Sequence, residues 1–212
     1  VSLIVIVFAS FPEVAPSLID RYIVACADAE IPALLVLNKA DLIKENDPIL
    51  NLMKEYQALG YEVMQTQSDG DLTELANRLA GETVAFVGQS GVGKSSLINA
   101  MVPDAAQKTN IISENSALGQ HTTTSTRLIA FGEGAALIDS PGIREFGLWH
   151  LNPDKVQRGF PEIENLLGHC QFRNCTHKHE KQCALRQAAA NGEILQRRLD
   201  SYLRLGDEIA EA

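Results

Sequence analysis

Asn38-Lys39-Ala40-Asp41 comes before Gly88-Gln89-Ser90-Gly91-Val92-Gly93-Lys94-Ser95 in this chain, and Asp139-Ser140-Pro141-Gly142 follows both. The middle stretch is a complete G-x-x-x-x-G-K-[ST] phosphate loop. An aliphatic strand is expected just before it, at 83–87, and an apolar helix just after, at 95–100, which is the context the motif requires. Its glycines let backbone N–H groups and a helix N-terminus surround phosphate oxygens. Lys94 would reach the β- and γ-phosphates, the Ser95 hydroxyl would bind Mg²⁺, and Ser96 closes the run. The first stretch has the N-K-x-D pattern that reads guanine. Asp41 would accept from guanine N1–H and the 2-amino group, a donor pair adenine lacks, and a buried carboxylate left unpaired is costly. Asn38 would meet the base edge and tie neighbouring loops together, while the Lys39 stem lies over the base plane beside Ala40. The third stretch is D-x-x-G, in which Asp139 would hold Mg²⁺ through water and the Gly142 N–H would meet the γ-phosphate. In an ordinary GTPase the guanine motif comes last. Here it comes first, so the chain reads as circularly permuted.

The surrounding pattern fits an α/β domain. Strands are expected at 2–7, 33–37, 62–65 and 83–87, alternating with helices at 16–29, 48–59 and 72–79, which predicts a mainly parallel sheet with helices on both faces. Pro16 and Pro48 suit a first helical turn. A hairpin is expected from 126–131 and 135–138 through Gly132-Glu133-Gly134, and the polar stretch 103–124 reads as a loop. Thr66-Gln67-Ser68 follows the third strand, where a backbone N–H could meet guanine O6; an ordinary loop has the same signature.

Gln120-His121-Thr122-Thr123-Thr124 lies in the polar stretch between the phosphate loop and D-x-x-G. A switch loop needs a threonine whose hydroxyl reaches Mg²⁺ when the γ-phosphate is present. Thr123 is the first choice and Thr122 the reserve, against a plain β-favouring run. The residue after D-x-x-G is Ile143, and an aliphatic side chain cannot orient the attacking water. Slow intrinsic hydrolysis is therefore expected, completed by another group or a partner. His121 is the nearest candidate catalytic residue; an exposed loop histidine is the competing reading.

The character changes near residue 150, so a domain of 1–150 and a mainly helical one of 151–212 are expected, with helices at 152–167 and from 184 to about 208. Cys170-x4-Cys175-x-His177-x5-Cys183 offers three thiolates and one imidazole, a closed tetrahedral set suited to structural Zn²⁺. His169 and His179 are competing ligands. Such a site would stiffen a small module lacking a core of its own. Cys26, alone in an apolar helix, reads as core. The net charge of −9 argues against a surface coated for nucleic acid. Residues 1–154 carry 9 basic and 19 acidic side chains, and 155–212 carry 9 and 8, so any RNA contact is expected in the C-terminal part. The apolar start, about eight residues long, is well short of the ~18 needed to span a bilayer and has no basic leader, so no membrane role is expected.

The permuted motif order, together with G-Q-S-G-V-G-K-S-S, G-Q-H-T-T, D-S-P-G-I and the C-x4-C-x-H-x5-C cluster, resembles the RsgA (YjeQ) family of small-ribosomal-subunit-dependent GTPases over essentially the whole chain. The resemblance implies GTP hydrolysis stimulated by the 30S subunit late in its maturation, and a zinc-bearing C-terminal domain that contacts rRNA. It also implies a cytoplasmic location, binding of GTP and GDP with Mg²⁺, and an N-terminal OB-fold outside this chain. A monomer is expected. The rival reading is a GTP-dependent binding switch that recruits an RNA or protein partner with only incidental hydrolysis. Replacing Asp41 with Asn should weaken GTP binding more than ATP binding. Equal loss in parallel titrations of the two nucleotides would refute the guanine assignment.

Overall fold

Seven successive apolar residues, Leu3 to Ala9, are buried on both faces of one strand, and the sheet is built outward from it. A strand covered on both sides belongs in the middle of a parallel sheet, where apolar residues run continuously instead of alternating. The computed structural model describes residues 1–102, 127–139, 151 and 153–210. Strand β1 (Leu3–Ala9) pairs in parallel with β2 (Ala33–Asn38) and with β4 (Thr83–Val87). Strand β3 (Glu62–Gln65) adds in parallel to β2, and β6 (Ala135–Asp139) adds in parallel to β4. The antiparallel β5 (Arg127–Phe131) completes the order β3-β2-β1-β4-β6-β5. The sheet is mostly parallel, as the aliphatic runs predict, and β1 continues two residues beyond its expected end.

Helices α1 (Pro16–Asp28), α2 (Pro48–Ala58), α3 (Thr73–Leu79) and α4 (Lys94–Met101) separate the strands. Pro16 and Pro48 open their helices, where a missing N–H costs nothing. The Asp47 carboxylate caps α2 by accepting from Ile49 N at 3.0 Å, and it also accepts from the Ser10 hydroxyl. These two bonds, the Ser10 one first, hold its carboxyl below the usual carboxylate range.

Among the described residues the chain divides into two compact units. One comprises Val1–Val14 and the described part of Ile31–Phe146; the other comprises Ala15–Glu30 and the described part of Gly147–Ala212. The first is organised on an apolar layer of Leu3, Val5, Val7 and Ala9 from β1 with Leu34, Val36, Val84, Leu97 and Leu137. The second groups α1, from the N-terminal part of the sequence, with a 3₁₀ segment (Pro153–Gly159), α5 (Pro161–Glu164), α6 (Ala184–Ala190) and α7 (Gln196–Ala210).

Three sequence expectations about this second unit are corrected. The single helix expected at 152–167 is instead a 3₁₀ segment and one short helix. Phe160 (φ −134°, ψ 66°) interrupts them, because Pro161 disfavours helical backbone in the residue before it. The helical run expected from 184 stops after α6 and resumes at α7, with Gly192 at φ +74° supplying the left-handed residue that ends a helix. The unit also has a core of its own: Val156, Phe160, Ile163, Leu185, Leu199 and Leu205 pack together, with Val24 from α1 joining them. Among the described residues no helix is long and apolar enough to cross a membrane.

A buried guanidinium organises this core. Arg198, on α7, is completely buried and donates to Asp20 on α1 at 2.7 Å, to Glu162 on α5 at 2.6 and 3.1 Å, and to the Gly159 carbonyl at 2.9 Å. Its planar group also lies 4.1 Å over the Phe160 ring. Burying a charge is tolerable only when it is paired and hydrogen-bonded, and this fork is satisfied from three elements at once. Removing one partner of such a buried pair costs about 3–5 kcal/mol. Asp20→Ala should destabilise the second unit by about 3 kcal/mol, the lower end of that range, because Glu162 still pairs the guanidinium. Urea unfolding followed by circular dichroism measures this, and a loss below about 1 kcal/mol would contradict the role given to the pair.

Candidate functional site

Parallel strands deliver their C-terminal ends to one edge of a sheet, where α/β proteins place ligand-binding loops. The sheet order puts the ends of β3, β2, β1, β4 and β6 side by side, so Thr66, Asn38, Ser10, Gly88 and Asp139 follow one another along that edge. The N-K-x-D stretch and the phosphate loop are thus separated by a single strand, although their sequence order is inverted.

Asn38 joins these loops. Its side chain is fully buried, and Nδ2 donates to the Val92 carbonyl of the phosphate loop at 2.9 Å and to Ser68 Oγ at 3.3 Å. Its Oδ1 accepts from Thr66 Oγ1 at 3.1 Å and from Ser68 Oγ at 3.4 Å. Thr66 continues the link through its backbone, donating to Leu37 O at 2.8 Å and accepting from Ala40 N at 3.0 Å. Lys39 takes up left-handed backbone (φ +61°), and its ammonium donates to Gly91 O at 2.6 Å and to Phe11 O at 3.0 Å. The lysine stem is therefore held along the mouth of the phosphate loop. Asp41 sits in the short 3₁₀ turn Ala40–Leu42 with its carboxylate exposed, and Gln67 is half-buried on the neighbouring loop.

Two glycines of the loop are required sterically. A Cβ on Gly88 (φ +139°) would stand 2.1 Å from the Val7 carbonyl oxygen, because β4 passes close to β1 as it enters the loop. A Cβ on Gly93 (φ +93°) would stand 2.3 Å from Asn38 Nδ2. Gly93 precedes α4, so Lys94 and Ser95 lie in the first turn of that helix, with Ser96 next. Lys94 Nζ donates to the carbonyls of Gly88 and Gln89 at 2.7 and 2.8 Å, which curls the loop over its own lysine. Ser90, Ser95 and Ser96 are exposed, while Val92 is buried and anchors the loop to the core. The expected residues His121, Thr122, Thr123, Gly142 and Ile143 lie outside the described residues.

Sequence reasoning did not find the contribution of the segment after β1. Its Phe11 carbonyl accepts from Lys39, and its Ser10 hydroxyl donates to Asp47. A backbone acceptor leaves no trace in side-chain identity, so no motif could have pointed to it.

The Cys/His cluster lies in the second unit. The ligating atoms of Cys170, Cys175, His177 and Cys183 all fall within 4.8 Å of one another. Cys170 Sγ is 3.8 Å from Cys183 Sγ, and His177 Nδ1 is 3.3 Å from Cys183 Sγ and 3.5 Å from Cys170 Sγ. A tetrahedral ion with bonds of ~2.3 Å to sulfur and ~2.0 Å to nitrogen has ligand edges of about 3.5–3.8 Å, so the donor set fits a four-coordinate metal. Burial, the largest influence, holds the His177 pKa below its usual value and favours the neutral, ligating imidazole. Burial also pushes the Cys175 thiol up to about 12, with the flanking Cys170 and Cys183 sulfurs adding to the effect. A bound cation reverses that balance, since a coordinating thiol is deprotonated outright. His169 and His179, the competing ligands, are exposed and stand outside the cluster.

The fold is that of the circularly permuted α/β GTPase class, and the second unit carries a Cys₃His cluster. The RsgA GTPase family profile matches residues 1–149, and the chain belongs to that family. It is 45% identical over 99% of its length to a Yersinia pseudotuberculosis protein named small ribosomal subunit biogenesis GTPase RsgA, of which it covers 61%. An Alcanivorax borkumensis protein of the same name is 49% identical over 97% of the chain, with 60% of that relative covered. The chain thus spans about three fifths of the length of these relatives. Among solved structures, YjeQ from Thermotoga maritima superposes with a TM-score of 0.79 at 29% identity, over 100% of this chain and 72% of that one. YloQ, described as a circularly permuted GTPase, superposes with a TM-score of 0.75 at 30% identity, over 100% of this chain and 69% of that one.

Gly93→Ala should disturb both loops at once, because its methyl group would displace the Asn38 carboxamide and its backbone would be strained at positive φ. The expected outcome is at least about a tenfold loss of guanine nucleotide affinity, the effect of ~1.4 kcal/mol. Titration with a fluorescent GDP analogue measures it, and unchanged affinity would refute the contact's importance.

Proposed function

We propose that the chain is a GTP hydrolase acting in late maturation of the small (30S) ribosomal subunit, with turnover stimulated by the subunit and used to time release. The observation that supports this most is the joining of the guanine motif to the phosphate loop, through Asn38 Nδ2 to Val92 O at 2.9 Å and Lys39 Nζ to Gly91 O at 2.6 Å. Base and phosphates would then be gripped by one connected structure. Family membership and the names of the relatives supply the biological setting.

In this reading Asn38, Lys39, Ala40 and Asp41 read guanine, with Thr66, Gln67 and Ser68 behind the base. Gly88 to Ser96 hold the phosphates, and Gly142 meets the γ-phosphate. Ser95, Thr123 and Asp139 would hold Mg²⁺, which neutralises charge developing on the phosphates. His121 is the candidate for orienting water. Cys170, Cys175, His177 and Cys183 would hold one structural Zn²⁺. Residues 1–150 act as the nucleotide-binding domain and 151–212 as the zinc-bearing domain that touches rRNA, with α1 supporting the latter. The protein works in the cytoplasm as a monomer.

Turnover should be slow alone and rise on the order of 10²-fold with purified 30S subunits, the contribution of one well-placed catalytic group. Phosphate release measured with and without subunits tests this. Absence of stimulation would favour the rival, a GTP-dependent switch whose hydrolysis is incidental. Metal analysis of the purified chain should find about one equivalent of zinc, as a single closed site predicts.

A further inference from the structure

Glu180 lies between two ligands of the metal-type cluster but is not one of its four converging groups. Its carboxylate is spent on the loop that carries His177. Oε1 accepts from Thr176 N and from Thr176 Oγ1, both at 2.8 Å, and Oε2 accepts from His179 N at 3.1 Å. These donors, the Thr176 amide first, hold the carboxyl far below the ordinary glutamate range.

The two oxygens thus grip the chain one residue before and two residues after the histidine. Between those grips His177 adopts φ +63°, left-handed backbone that a non-glycine residue rarely takes. That turn directs Nδ1 to 3.3 Å from Cys183 Sγ and 3.5 Å from Cys170 Sγ. We infer that Glu180 is a positioning residue for metal capture: it stabilises the left-handed turn at His177 and so presets the imidazole as a ligand. This rests on the reading of the cluster as a metal site. Outer groups that orient ligands typically govern metal affinity by 10–100-fold.

The loop has two further anchors that do not involve this carboxylate. Lys178 Nζ donates to Asp207 at 2.7 and 2.8 Å, and Arg186 donates to the Glu180 backbone carbonyl at 3.0 Å. Both survive replacement of the Glu180 side chain, so the effect of that replacement can be separated from general loosening of the loop.

Zinc affinity of the whole chain, measured by competition with a chromophoric chelator, should fall about 10–100-fold in Glu180→Ala. Lys178→Ala should stay within about twofold of the parent, because it leaves the Thr176 and His179 amides gripped by Glu180. In a double-mutant cycle, adding Glu180→Ala to His177→Ala should cost little further affinity, since the carboxylate acts through the imidazole. The Co²⁺-loaded Glu180→Ala chain should also show altered visible bands, reporting a disturbed nitrogen ligand. Parent-like affinity in Glu180→Ala, additive losses in the cycle, or an equal loss in Lys178→Ala would each overturn the inference. If Glu180→Ala does not fold, Glu180→Gln serves instead. It keeps an acceptor for Thr176 but offers no acceptor at the second position, and parent-like zinc affinity in it would be equally fatal. Failure of the parent chain to bind zinc would instead bring down the metal reading itself.

Discussion

The Asn38 carboxamide is the contact on which the sheet-edge site depends. One buried amide donates into the phosphate loop at Val92 and accepts from Thr66 on the loop beyond β3. Buried polar groups stay affordable only when satisfied, and this one has partners on two separate loops. Its presence imposes a second requirement, that the residue facing it has no side chain, which Gly93 meets. The N-K-x-D stretch and the glycine-rich loop are therefore matched surfaces, and a change in either is felt by the other.

Permutation leaves this contact intact because the contact belongs to the order of strands in space. β1 separates β2 from β4, and the three strands run parallel, so the ends of β2 and β4 lie at the same edge wherever the chain begins. What permutation changes is the connection that fills the gap. Here the segment leaving β1 crosses between the two motifs and supplies the Phe11 carbonyl that receives the Lys39 ammonium. The same segment then leads into α1, which groups with the C-terminal elements.

Legibility in the sequence followed the physics of each region. The strands were readable because both-face burial demands continuous aliphatic runs, as in Leu3–Ala9 and Leu34–Leu37. The phosphate loop and Asn38–Asp41 were readable because close backbone approach and buried amides restrict residue type at fixed spacing. The four cluster residues were readable for a similar reason: few side chains ligate metal, and they must converge. Arg198 was not readable. In a polar helix a charged residue passes for a solvated one, and only the fold brings Asp20 within 2.7 Å from far away in sequence. The helix breaks at Phe160 and Gly192 had local signals in Pro161 and Gly192, but the strong apolar period of the flanking segments masked them.

A metal at the Cys/His cluster would have a narrower task than the four residues alone imply. A module without a core would need the ion to fold, yet this unit buries Phe160, Ile163, Leu185 and Leu199 in an apolar cluster of its own. Cys183 belongs to that core and is fully buried at the start of α6, whereas Cys170, Cys175 and His177 are half-buried on the polar segment leading to it. An ion gripped by all four would therefore pin a hydrophilic excursion to a body with an apolar core of its own. The residues so held include the exposed Phe172 and several basic side chains, Arg173, Lys178 and Lys181. Such a surface has little apolar area with which to order itself, and ligation can supply order without hydrophobic burial. A metal held by the four converging side chains would thus account for the polar composition of the loop as well. Ligation there would fix the shape of a charged surface that the apolar core does not order.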